Sequence, residues 1–173
     1  MFHILAIDPG LISLGYAIFG KDETEPCKLI SFGSVKKRPG VGTDTPIEIR
    51  IQVAIEDLAT QLGQYSVMNS IECVIEQPQP FGAYKSLASQ QSGSLIKLYF
   101  LTGALFWWAQ DHFALTLLVP VSTYKGQLPK VVTNKRMQEK YGREFKTTDE
   151  ADAVYLGDWY YMKRYGDKHE HEQ

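Results

Sequence analysis

The segment Phe2–Ile7 constrains the fold more than any other part of the chain. It is mostly apolar and stops abruptly at Asp8-Pro9-Gly10. Apolar residues at both odd and even positions of so short a segment predict a strand that is buried on both faces, and hence a central strand of a sheet. The proline and glycine that follow predict a tight turn. The fold is therefore expected to be organised around this first strand.

The later segments predict an α/β fold in which a mixed sheet carries helices on both faces. Four further strands and three helices are indicated by apolar patterning and turn residues. The strands are expected at Leu14–Phe19, Lys28–Val35, Ile71–Ile75 and Leu115–Val119, and the helices at Pro46–Gly63, Ser92–Phe113 and Thr147–Tyr165. The order β-β-β-α-β-α-β-α starts with an antiparallel meander and continues with alternating helices and strands, which predicts a five-stranded sheet.

Local signals mark the ends of two helices and the extent of the domain. Pro46 suits the first turn of a helix and Gly63 its end. Thr147 or Thr148 could cap the last helix, and Thr147 with Glu150 has the spacing of a capping box. Residues 1–165 are expected to form one domain, because 173 residues with 44% hydrophobic side chains suffice for one core. The polar tail 166–173 is expected to be mobile.

Charge and composition limit the possible functions. The net charge of −2 argues mildly against nucleic-acid binding, but residues 125–146 hold seven basic side chains against two acidic ones. Lys36-Lys37-Arg38 forms a second basic spot. The longest apolar stretch, Leu98–Ala109, is too short to span a bilayer, and no targeting segment is expected. Two cysteines fit a cytoplasmic protein, and the absence of a Walker pattern argues against a nucleotide cofactor.

Four acids occupy positions where their carboxylates can meet. Asp8 ends the first strand and Glu76 the fourth, so both emerge at one sheet edge if these strands are neighbours. Asp149 and Asp152 are three residues apart at the start of the last helix and share a face. Converging carboxylates repel one another unless cations lie between them, and such ligands suit Mg²⁺, with Mn²⁺ as a substitute. The pattern predicts a two-metal site for phosphodiester hydrolysis.

Each acid also has an ordinary structural interpretation. Asp8 before Pro-Gly is a typical turn residue. Glu76 can be a solvated strand end, and Asp149 with Asp152 would complement the helix dipole. Only the combination of two strand-end acids with a pair at a helix start favours catalysis.

Three motifs resemble those of the RuvC-type Holliday junction resolvases. Ile4–Gly10, followed by Gly15-Tyr16-Ala17, is similar to the opening motif of that family. Val74–Gln77 is similar to the second motif and Thr148–Ala153 to the last, in which two acids stand three apart before an alanine. The order and spacing of the three motifs agree over nearly the whole chain.

The resemblance implies a ribonuclease H-like fold and a crossover junction endodeoxyribonuclease. It implies a homodimer that acts in DNA recombination and repair by cutting a four-way DNA junction with paired symmetric nicks, in a reaction dependent on Mg²⁺. The catalytic metal ligands that carry over are Asp8, Glu76, Asp149 and Asp152.

The basic connector before the last helix resembles that of phage-encoded relatives. Within Gly126–Arg136, Lys130 and Lys135 match basic residues near the scissile phosphate. Lys135 is expected to meet the charge that develops on the phosphate, as a catalytic residue. The connector could also be no more than a solvated surface. As a phosphate-binding surface it would comprise Lys125, Lys130, Lys135 and Arg136.

Aromatic residues supply two further hypotheses. Phe81 and Tyr84 are predicted to stack on bases opened at the junction centre, with Lys85 as a phosphate contact beside them. Both could instead pack over the end of the sheet, and two prolines in Gln77–Tyr84 depart from the family pattern. Of Trp107 and Trp108, one is expected in the core, and the other is left open between the core and a dimer interface.

Two alternative functions remain at this point, and a third is excluded by the length of the chain. The same acids could cut flaps, forks or RNA–DNA hybrids. The chain could also be a junction-binding module without catalysis. Actin-like phosphotransferases open with an acid and glycines after a strand as well, but they need two such domains, which 173 residues do not provide.

Overall fold

The computed structural model describes residues 3–20, 27–63, 65, 70–79, 93–126 and 128–166. Within these ranges, five strands and five helices follow one another. The strands are β1 (His3–Asp8), β2 (Ser13–Gly20), β3 (Lys28–Lys36), β4 (Ile71–Gln77) and β5 (Leu115–Pro120). The helices are α1 (Ile47–Leu62), α2 (Ser94–His112), α3 (Val121–Tyr124), α4 (Lys130–Tyr141) and α5 (Thr148–Tyr165).

The five strands form one mixed sheet in the order β3-β2-β1-β4-β5. β1 pairs antiparallel with β2, and β2 antiparallel with β3. β1 pairs parallel with β4, and β4 parallel with β5. Every residue of β1 is buried, as expected for a strand with apolar residues on both faces. The predicted five-stranded mixed sheet with a central first strand is confirmed.

Alternation along the strands divides the core between the two faces of the sheet. Ile4 and Ala6 of β1 belong to the core cluster under α5, together with Val74 of β4. Leu5 and Ile7 belong to the cluster under α1 and α2. Because alternate side chains face opposite sides of the sheet, each face has its own apolar core and its own helices, as predicted.

The predicted helix ends are found where the sequence indicated them. Pro46, expected in the first turn of α1, is its N-cap one residue earlier, and the N–H of Gly63 donates to the Ala59 carbonyl at its end. At the start of α5, Thr147 Oγ1 accepts a hydrogen bond from the Glu150 N–H at 3.2 Å. The Glu150 carboxylate accepts from the Lys146 N–H at 2.7 Å, one residue before the position of an ordinary capping box.

The basic segment before α5 contains a helix that the sequence analysis did not predict. α4 follows Pro129 and ends at Gly142, whose φ of 60° is left-handed. Its sequence is mostly polar, and Met137 and Tyr141 provide much of its packing on the core cluster. Lys140 Nζ is 2.6 Å from Asp158 Oδ1 of α5. Contacts with α5 therefore hold this helix where its own apolar pattern is too weak to reveal it.

Several other expectations can be compared with the structure. Trp108 packs on the core, as expected for one of the two tryptophans, whereas Trp107 is 70% exposed. The tail after Gly166 lies outside the described residues. In the described part of the chain, no helix combines the length and apolar character needed to cross a membrane.

Candidate active site

The first two acids lie side by side at one edge of the sheet. β1 and β4 are parallel neighbours with Ile7 opposite Ile75, so Asp8 and Glu76 occupy the next position on each strand. Ala6 and Val74 both face α5. Asp8 is two residues after Ala6, and Glu76 is two residues after Val74, so each acid lies on the same side of its strand. The pleat therefore directs both carboxylates towards α5 at the carboxyl ends of the strands.

The first turn of α5 brings the second pair of acids to the same edge. Asp152 is buried and Asp149 is half-buried. Gly15 of β2 is paired with Asp8. A Cβ atom on Gly15 would lie 2.0 Å from the Asp149 carbonyl oxygen. The missing side chain is thus what lets α5 approach the strand next to Asp8 so closely.

A hydrogen bond ties this turn to the edge of the sheet. Ser34 of β3 is the partner of Gly15 on its other side. Its Oγ donates to Glu150 Oε1 at 2.9 Å, and Glu150 is 4% exposed. Since Glu150 lies between Asp149 and Asp152, the bond fixes the turn that carries both acids.

Tyr124 lies against Glu76 in an acidic environment. Its hydroxyl donates a hydrogen bond to Glu76 Oε2. Burial raises the pKa of the Tyr124 hydroxyl far above its ordinary value, and three nearby carboxylates raise it further, those of Glu76, Asp8 and Asp152. A negative phenolate among three carboxylates would be strongly disfavoured, so Tyr124 remains a hydrogen-bond donor.

Lys125 provides a buried positive charge at the same place. Its ammonium forms an ion pair with Asp152 Oδ1. The two side chains are only 8% and 3% exposed. A carboxylate buried to this degree needs a cation or several hydrogen bonds, and Lys125 supplies both a charge and donors.

The structure separates the predicted site residues into three groups. It brings together Asp8, Glu76, Asp152 and Lys125, with Asp149 in the adjoining turn. Lys135 lies on α4 with its side chain 76% exposed, and its ammonium is 3.8 Å from Glu139. Arg136 is also exposed, and Lys130 begins α4, where its side chain lies outside the described part of the chain. Phe81, Tyr84 and Lys85 lie outside the described residues.

Sequence reasoning missed Tyr124 and predicted Lys125 only as a contact to DNA. A topological signal was available for both. β5 is the parallel neighbour of β4, with Val119 opposite Glu76. The residues that follow β5 therefore emerge at the edge that carries Glu76. The short helix α3 starts there, and its last residue, Tyr124, lies at the same edge.

The donor chemistry of this site fits a hard divalent cation. Its potential ligands are carboxylate oxygens, which Mg²⁺ and Mn²⁺ prefer. Among the described residues, no group of three or more acid, histidine or cysteine side chains is arranged closely enough to hold a metal ion. Asp152 carries the Lys125 ammonium instead. The assignment of the four acids as metal ligands stays a prediction.

Comparison with known proteins establishes the fold. No protein-family model and no curated protein sequence matches the chain. The chain is similar to the structure of Thermus thermophilus RuvC in complex with a Holliday junction substrate, with a TM-score of 0.67 and 15% identity over 95% of this chain and 97% of that one. It is also similar to the yeast mitochondrial Holliday junction resolvase, with a TM-score of 0.56 and 15% identity over 95% and 82% of the two chains. The chain has the ribonuclease H-like fold of RuvC, and the resemblance seen in its motifs is confirmed at the level of the fold.

Proposed function

We propose that this chain is a divalent-metal-dependent DNA endonuclease that resolves four-way junctions. The observation that carries the proposal is that Asp8 and Glu76 end adjacent parallel strands, while the consecutive residues Tyr124 and Lys125 contact Glu76 and Asp152. A fold alone does not define a function. In a fold shared with junction resolvases, a cluster of acids at this edge supports phosphodiester cleavage as the chemistry.

The residues that would hold the metal ions are Asp8, Glu76, Asp149 and Asp152. Bound Mg²⁺ or Mn²⁺ would activate a water molecule and stabilise the leaving oxygen of the phosphodiester. Tyr124 would orient the Glu76 carboxylate through its hydrogen bond. The Lys125 ammonium is paired with Asp152 and would have to leave that carboxylate to meet negative charge on the phosphate.

A homodimer would supply two active sites for paired nicks. The exposed apolar face of α2 supports the proposal that two copies of the chain associate. Ile96, Phe100 and Trp107 fall on one stripe of this helix and are 59%, 62% and 70% exposed. The opposite face of α2 is buried through Leu101, Leu105 and Ala109. A helix that is apolar on both faces is normally buried on both. A second copy packing along this stripe would cover it.

The dimer is tested by a double substitution, Phe100→Glu with Trp107→Glu. We expect it to convert the dimer into a folded monomer, because each buried aromatic anchor contributes at least about 2 kcal/mol to an interface of this kind. Sedimentation velocity would measure the mass. Junctions should then receive single nicks instead of paired ones. Met162→Glu, on an exposed apolar side chain of α5, is the matched control and should remain dimeric.

The proposed activity is tested with the purified full chain and labelled DNA. A synthetic four-way junction, a linear duplex, a flap, a fork and an RNA–DNA hybrid are incubated in parallel with Mg²⁺ or with EDTA. We expect paired symmetric nicks in the junction, no cleavage in EDTA and little cleavage of the linear duplex.

Other outcomes would lead to different conclusions. Preferential cutting of flaps, forks or hybrids would agree with the proposed chemistry but would show that the four-way junction is not the preferred substrate. Junction binding without cleavage under Mg²⁺ and Mn²⁺ would indicate a binding module and contradict the proposal.

A further inference from the structure

A groove with a basic rim lies on the α1 side of the sheet, beside the candidate active site. It is bordered by the turn after β1, the end of β3 and the first turns of α1. Its floor is apolar. Four basic residues and one acid, Asp57, line it, so the described lining carries a net charge of about three positive. The basic residues are Lys36, Lys37, Arg38 and Arg50.

The two arginines of this groove are held in place by the protein. Arg50 donates to the Leu11 carbonyl oxygen at 2.9 Å. Arg38 donates to Asp57 Oδ1 at 2.5 Å. Lys36 and Lys37 are exposed and form no ion pair with a described residue. Two fixed cations with two available ammonium groups beside them form a preorganised site for anions.

The size of the groove limits what it can bind. Its cavity volume is about 40 Å³, whereas pockets that enclose a small organic ligand have about 300–1,000 Å³. A nucleoside or a metabolite would not fit inside. A phosphate group of a polymer lying across the opening needs no enclosed volume, only cations along the rim.

Strand pairing places the groove at the same edge as the acids. Asp8 is opposite Gly15, Gly15 is opposite Ser34, and Lys36 is two residues further along β3. From the spacing of strands and residues, the Cα atoms of Asp8 and Lys36 are about 12 Å apart. This separation equals the axial rise of about three base pairs of duplex. The groove lies on the α1 side of the sheet, whereas α4 and the basic segment 125–146 lie on the α5 side.

We propose that this groove binds the phosphodiester backbone of a duplex DNA arm next to the cleavage site, with Lys36 and Lys37 contacting phosphates directly. The inference rests on the proposed function, since it takes DNA as the substrate. It adds a second electrostatic contact, at the end of the edge strand β3 and the start of α1. Because phosphate contacts read no bases, the groove would hold arms of any sequence.

The test is the double substitution Lys36→Gln with Lys37→Gln, measured as junction affinity in EDTA so that no cleavage interferes. We expect the slope of log Kd against log salt to fall by about 1.8, and binding to weaken roughly tenfold at moderate salt. Affinity for a linear duplex should fall in the same proportion, because the contact is to an arm and not to the branch point. Melting temperature should not change, since both side chains are exposed.

The matched control is Lys28→Gln with Lys163→Gln, which removes the same charge at the opposite edge of the sheet. Lys28 begins β3, and Lys163 lies near the end of α5. Wild-type affinity and salt slope in the Lys36/Lys37 variant would overturn the proposal, as would an equal loss in the control. Loss of junction affinity with unchanged duplex affinity would also overturn it. If the Lys36/Lys37 variant alone loses DNA binding and the wild-type protein cuts no DNA, the groove is confirmed as a DNA-binding site and the proposed catalytic function is refuted.

Discussion

Replacement of Asp8 by asparagine is expected to lower the rate of junction cleavage by at least about 100-fold, while the protein stays folded and still binds the junction. Asp8 is 7% exposed and ends the central strand. Asparagine keeps the size of the side chain and removes its charge. Since Asp8 and Glu76 occupy equivalent positions at the ends of adjacent strands, the substitution removes one of the negative charges that would attract metal ions and relieves part of their mutual repulsion.

Single-turnover cleavage of a labelled junction measures the loss directly. A second measurement is the rise in melting temperature when Mn²⁺ or Mg²⁺ is added, since a ligand that binds only the native state stabilises it. This rise should be smaller in Asp8→Asn than in the wild type. Junction affinity in EDTA should be equal or higher, because a negative charge near the phosphate has been removed.

Asp111→Asn is the matched control for this substitution. Asp111 is exposed near the end of α2, and α2 lies on the face of the sheet opposite α5. The control should cleave at the wild-type rate and respond to metal as the wild type does. Near-normal cleavage by Asp8→Asn would remove the central acid from the proposed mechanism and leave Asp8 as a turn residue.

The parts of the fold that local patterns determine could be predicted from the sequence. The strands have either alternating apolar and polar residues or only apolar ones, so β1 and β4 could be located. Pro46, Gly63 and Thr147 marked helix ends through local backbone chemistry. α4 could not be located in this way, because its helical state depends on packing against α5 through Tyr141 and on the ion pair of Lys140 with Asp158. Pro129 and Gly142 were present as signals, but the strong positive charge of the segment favoured a connector.

The candidate site was predictable only where its residues stand at the ends of strands or helices. Asp8, Glu76 and Asp152 could be proposed because strand ends and a helix start recur at ligand sites. Tyr124 and Lys125 are 48 and 27 residues from the acids they contact. Such pairings depend on the sheet order β1-β4-β5, which no local pattern encodes. Lys135 lies exposed on α4, with its ammonium 3.8 Å from Glu139, and its catalytic role stays a prediction.

The second large effect is expected from Gly15→Ala, a substitution outside the acids themselves. The added methyl group would lie 2.0 Å from the Asp149 carbonyl oxygen and 2.4 Å from its carbon. Contacts of Cβ atoms below 3.0 Å are essentially never seen, so the first turn of α5 has to move by about 1 Å. Overpacking of this kind costs about 3 kcal/mol of unfolding free energy. A displacement of this size in catalytic groups lowers rates about 100-fold.

Urea denaturation would measure the free energy of unfolding, and single-turnover cleavage the rate, both below the temperature at which the variant unfolds. Gly42→Ala is the matched control, because the nearest atom to its added methyl group is the Asp44 nitrogen at 3.8 Å. It should change neither quantity. Junction binding in EDTA should persist in Gly15→Ala, since the basic side chains are untouched.

The two measurements on Gly15→Ala separate positioning from simple packing. If Gly15 matters only for packing, the variant loses stability but its folded fraction cleaves at the wild-type rate. If Gly15 sets the distance between β2 and α5, the folded variant is slow, because Asp149 and Asp152 have moved away from Asp8, which belongs to a different element. The first result would show that the approach of α5 to the sheet can vary without affecting the chemistry, and it would contradict a site assembled from rigid elements.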